Sequence, residues 1–96
     1  MRTFEFKPSY YEWHLTDKAT GKILLNIVDP SDDLDNGMTY EQVHDIANEW
    51  LDEAERRYHD NDEYNGVLPD YEPLDEEEKE TAATLIAETL YAYYLS

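Results

Sequence analysis

Residues 10–28 read YYEWHLTDKATGKILLNIV. In the first third, Tyr11, Trp13 and Leu15 alternate with Glu12, His14 and Thr16. That period of two gives a strand one apolar face and one polar face. In the last third, Ile23, Leu25 and Ile27 recur at the same spacing and are expected to share a face. Between them, Asp17-Lys18-Ala19-Thr20-Gly21 has the composition of a hairpin loop, with Gly21 free to take a positive φ. Upstream, Phe4 and Phe6 alternate with polar residues. Pro8 has no N–H to give a ladder, which makes Thr3–Lys7 an edge strand or a lead-in. Residues 3–28 therefore predict an antiparallel meander of two or three strands.

Beyond Val28 the period changes. VDPSDDLDNG is a turn-rich connector, and Thr39 opens a helix. Thr39 and Gln42 match a capping box, and Met38 with Val43 matches the hydrophobic staple around it. Val43, Ile46, Ala47, Trp50, Leu51, Ala54 and Tyr58 recur at helical spacing, so one face is apolar from about residue 39 to 58. HDNDEYNGVLPDYEP is a polar connector whose Gly66, Pro69 and Pro73 interrupt any helix. Asp75 and Glu78 repeat the capping pattern and predict a second helix over about 75–95. Acids in its first turn suit the positive end of the helix dipole. Past Thr81 this helix is apolar around most of its circumference, so it is expected to be sandwiched by the sheet and the first helix, or to form a homodimer. The chain is thus predicted to be a single α+β domain of two layers, 1–96.

Apolar content of 41%, with nine Tyr and two Trp, argues for a packed core rather than a disordered acidic tail. The absence of Cys excludes disulfides and thiolate metal sites. No segment has the length and apolarity of a membrane span, and no basic-then-apolar leader is seen, which predicts a cytoplasmic protein.

Charge is the outlier. The chain holds 24 acids against 7 bases, net −17. Residues 1–28 carry four bases and three acids, net +1, whereas 29–80 carry twenty acids and three bases, net −17. On a domain with a radius of roughly 13 Å, such charges lie about one or two Debye lengths apart and repel. The field disfavours direct binding to nucleic acid or an anionic membrane and favours a basic protein surface.

The acids concentrate on the first helix. Glu41, Asp45, Glu49 and Glu53 are four residues apart, with Asp52 and Glu55 beside them. They form one line with a rise of about 6 Å per step. Solvated helix faces ordinarily mix signs and gain Glu–Lys pairs at this spacing. Here like charges follow one another, and Asp52–Arg56 and Glu53–Arg57 are the pairs available at the far end. Asp60, Asp62, Glu63, Asp70 and Glu72 in the connector, and Asp75, Glu76, Glu77 and Glu78 at the second helix, extend the surface expected to bind a partner. Tyr40, Tyr58, Tyr64 and Tyr71 are interleaved with the acids and offer aromatic contact area.

A small, acidic, Tyr-rich chain with carboxylates lined along helices resembles the phage-borne DNA mimics that inhibit restriction enzymes, and some anti-CRISPR inhibitors. The likeness lies in composition and in the acid rows at Glu41–Glu55 and Asp75–Glu80, not in a motif. It implies a mechanism in which the rows fill the Lys/Arg-lined channel of a host defence complex and exclude nucleic acid.

Two other readings use the same composition. An acidic surface also suits a protein adapted to molar salt, although the near-neutral first 28 residues depart from that pattern. It equally suits an antitoxin or assembly factor for one basic protein. Asn61–Glu72 partly matches a calcium loop, but Asn61 replaces the leading Asp, Glu63 is bulky, and Pro69 and Pro73 fall where the exit helix belongs. His14, His44 and His59 are scattered without metal-ligand spacing. No nucleophile elbow or phosphate loop is present. The expectation is a protein that is not an enzyme and takes no metal or cofactor.

Overall fold

A computed structural model describes residues 2–10, 12–59 and 73–95, with backbone alone at 57–59. Three strands, β1 (Phe4–Ser9), β2 (Glu12–Asp17) and β3 (Ile23–Val28), form an antiparallel sheet in the order β1-β2-β3. A 3₁₀ turn, Pro30–Asp33, leads to α1 (Tyr40–His59). Then come α2 (Glu76–Leu90) and a terminal π-helical turn, Tyr91–Leu95. The fold is α+β, a three-stranded meander followed by two helices.

The β2–β3 loop forms as its composition requires. Gly21 has φ +77° and its N–H reaches the Asp17 carbonyl at 2.8 Å, while Asp17 Oδ1 accepts from Ala19 N at 2.9 Å. β1 is an edge strand, and it continues past Pro8 to pair Ser9 with Glu12. Just beyond Ser9, Tyr10 is in the left-handed region at φ 57°.

The strict alternation expected of β3 is broken. Leu15 pairs with Leu25 but Thr16 pairs with Ile23, so Leu24 is the extra residue of a bulge. Leu24 is buried and Ile23 is half-buried, because a bulge shifts every side chain beyond it relative to the pleat. Ile23 therefore does not share a face with Leu25 and Ile27.

Both helix starts follow the sequence pattern. At α1, Gln42 N donates to Thr39 Oγ1 at 3.2 Å and Thr39 N donates to Gln42 Oε1 at 2.9 Å. At α2, Glu78 N donates to Asp75 Oδ1 at 2.7 Å and Asp75 N donates to Glu78 Oε1 at 3.2 Å. Each box satisfies two N–H groups that a helix start leaves without partners, worth about 1 kcal/mol per cap.

The core lies between the layers. Phe6, Trp13, Leu15 and Ile27 from the sheet meet Val43, Ala47 and Leu51 of α1 and Ala82, Ala83, Ile86, Ala87 and Leu90 of α2. Three alanines on α2, Ala82, Ala83 and Ala87, are fully buried and let it approach closely, so its apolar side packs within the chain as far as Leu90. Phe6 stacks on Trp13 at 5.1 Å and 22°, and Tyr93 meets Trp13 edge-on at 5.2 Å. Trp13 Nε1 donates to the Tyr94 hydroxyl at 3.3 Å, so the terminal turn is tied to the sheet.

Candidate partner-binding surface

Val43, Ala47 and Leu51 point α1 into the core, which turns the opposite side of the helix outward. Glu41, Asp45, Glu49 and Asp52 are exposed there, and Glu53 and Glu55 are partly covered. The predicted acid line therefore exists as one side of α1. Its members differ in what surrounds them.

Toward the helix C-terminus the acids are engaged. Asp52 pairs with Lys79 of α2. Glu53 lies 3.7 Å from Arg56, and Glu55 accepts from Leu74 N at 2.9 Å. The Asp52 and Glu55 contacts fasten the start of α2 to the last turns of α1. An open depression of about 290 Å³ is lined by Glu49, Asp52, Glu53 and Arg56. Toward the N-terminus the picture changes: among the described residues, no cation lies against Glu41, Asp45 or Glu49.

The second row divides differently. Glu76 and Glu77 are exposed. Asp75, although exposed, spends its carboxylate on the helix cap. Glu78, expected to face a partner, is 8% exposed and belongs to the fold instead. Besides the cap, it accepts from Arg2 N at 3.1 Å and lies 3.7 Å from Arg2 Nε. The reason is geometric. The third position of a capping box must fold its side chain back over the helix end, and here the N-terminal arm closes over it. Asp60, Asp62, Glu63, Asp70 and Glu72, with Tyr64, Tyr71 and the calcium-loop pattern at Asn61–Glu72, lie outside the described residues.

His14 and His44 are held by polar neighbours. His14 Nε2 is 3.1 Å from Glu12 Oε1, and Asn26 Nδ2 donates to Glu12 Oε2 at 2.8 Å. These two hydrogen bonds, Asn26 first and His14 second, hold the Glu12 carboxyl below the usual glutamate range. His44 sits in the seam between the helices, with Nδ1 3.1 Å from Asn48 and Nε2 3.2 Å from Glu80. Sequence spacing gave no sign of this seam, since Tyr40, His44, Glu80 and Thr84 meet only when α1 and α2 pack.

Among the described residues, no three His, Asp or Glu side chains converge as metal ligands, and no helix is long and apolar enough to cross a membrane. No protein-family model, curated protein or solved structure matches this chain.

Proposed function

We propose that this protein is a polyanionic inhibitor that occupies the basic nucleic-acid-binding site of a partner protein and so excludes the nucleic acid. One observation carries the reading: Glu41, Asp45 and Glu49 stand exposed in a row, with no cation against them among the described residues. Their step of about 6 Å resembles a phosphate row. DNA has one phosphate per about 3.4 Å of axis on each strand, set farther apart along the sloping backbone. A Lys/Arg-lined channel that accepts phosphates accepts such a row for the same Coulombic reason. A bacterial defence complex of the restriction or CRISPR type is the partner class proposed, on the resemblance to phage-borne mimics.

The test is a pull-down from nuclease-treated bacterial lysate, comparing the wild type with the triple variant Glu41→Lys, Asp45→Lys, Glu49→Lys. The expected capture is a nucleic-acid-handling protein that the variant fails to retain and that added duplex DNA displaces. Retention should fall at least about tenfold between 50 and 200 mM salt, as for other polyion contacts. If the variant retains the same protein, or DNA does not compete, the mimicry reading fails.

A further inference from the structure

The helix pair turns a second feature outward where the start of α1 lies beside the end of α2. Tyr40 is 36% exposed and meets Tyr91 edge-on, with ring centroids 6.2 Å apart at 78°. One turn along α1, the His44 ring lies 6.1 Å from the Tyr40 ring. His44 Nε2 is 3.2 Å from Glu80 and 3.4 Å from Thr84. Glu80, Thr84 and Glu88 are four residues apart and share one side of α2. Glu88 therefore falls beside Tyr40, just as Glu80 and Thr84 fall beside His44. Partial burial, and then the negative charge of Glu88, raise the pKa of the Tyr40 hydroxyl. A hydrogen bond with Thr84 opposes the rise, and Glu80 adds to it. Glu88 is exposed, and no cation lies against it among the described residues.

The corner is thus a pair of aromatic rings beside a carboxylate, and it flanks the start of the acid row, about 100° around α1 from Glu41. Charge decides what fits there. Two copies of a chain of net −17 repel, and so does a nucleic acid. We propose that the Tyr40–Tyr91 corner receives an arginine side chain of the basic partner, its guanidinium lying against the rings and pairing with Glu88. Arginine suits the corner better than lysine. A guanidinium is planar and weakly hydrated, so it rests on a ring and still forks toward a carboxylate. An ammonium is a strongly hydrated point charge that loses more water in the same place. The inference rests on the acid row being a protein-binding surface, and adds the cation that one end of it selects.

The experiment uses labelled oligoarginine and oligolysine of equal length, with binding followed by fluorescence anisotropy. The wild type should bind oligoarginine more tightly, by an excess of roughly two- to five-fold attributable to the corner. Tyr40→Leu should remove that excess and leave oligolysine binding unchanged. Glu88→Gln should reduce it without touching the ring, which guards against a fold defect in the first variant. Asp45→Lys with Glu49→Lys should weaken both peptides alike and keep their ratio. A ratio that survives both Tyr40→Leu and Glu88→Gln overturns the arginine corner while the acid row stands. Unchanged affinities in the double reversal overturn the acid row itself, whatever the ratio does.

Discussion

The two acid rows look alike on paper, yet the fold uses them differently. On α1 only Glu41 lies in the first turn, and Asp45 and Glu49 stand farther along the helix, where a carboxylate has no free N–H to cap. Glu41 gains from the helix dipole, whereas Asp45 and Glu49 gain no such contact and repel their neighbours in the row. On α2 the acids occupy the first turn, where N–H groups lack partners and the dipole is positive. There Asp75 and Glu78 are structural, and Arg2 adds a basic neighbour. A carboxylate's place in its helix separates a group that holds the chain together from one the fold leaves exposed.

That contrast breaks first at Glu78. Glu78→Ala removes half of a cap, the acceptor of Arg2 N and an ion-pair partner, and should cost about 2–3 kcal/mol. Urea melts beside Glu76→Ala would show it; equal effects for the two would erase the distinction within the α2 row. Asp75→Ala removes the other half of the box and should cost about 1 kcal/mol. Neutralising the α1 row should act with the opposite sign. Asp45→Asn with Glu49→Gln relieves the like-charge contacts, leaves the first-turn Glu41 in place, and should stabilise the fold by about 0.5 kcal/mol, while weakening partner binding. A loss of stability in that double variant would mean the row is structural after all.

The smallest effect sharpens the comparison from the sheet, where Glu12 is a third kind of carboxylate, bound by side chains rather than by a helix end. Its folded pKa is depressed, chiefly by Asn26. The stability it contributes is therefore present above the unfolded glutamate pKa and is lost as pH falls through the lower folded value. Asn26→Ala should move the Glu12 titration upward toward its ordinary value, read by NMR of the side-chain carboxyl. An unchanged titration would assign the depression to His14 instead.

Much of this was legible beforehand because it is local. Alternation at Glu12–Thr16, a Gly at the loop, and paired capping residues at Thr39/Gln42 and Asp75/Glu78 each act within a few residues, so the sequence predicts them. The bulge at Leu24 was not legible, since Ile23, Leu25 and Ile27 alternate as well as any strand; the shift appears in pairing with β2. The left-handed backbone at Tyr10 was also missed, because Tyr lacks the usual preference for positive φ.

For the acid surface, the sequence by itself determined how much negative charge the protein carries and that Glu41, Asp45, Glu49 and Glu53 share one side of a helix. Helical spacing and side-chain ionisation need nothing beyond the chain's own order. Only the tertiary structure decided which carboxylates find a partner within the fold. Lys79 reaches Asp52, Arg2 reaches Glu78 and Glu80 reaches His44 across separations of 27, 76 and 36 residues. Coulombic attraction depends on distance in space, and packing of α1, α2 and the sheet sets that distance.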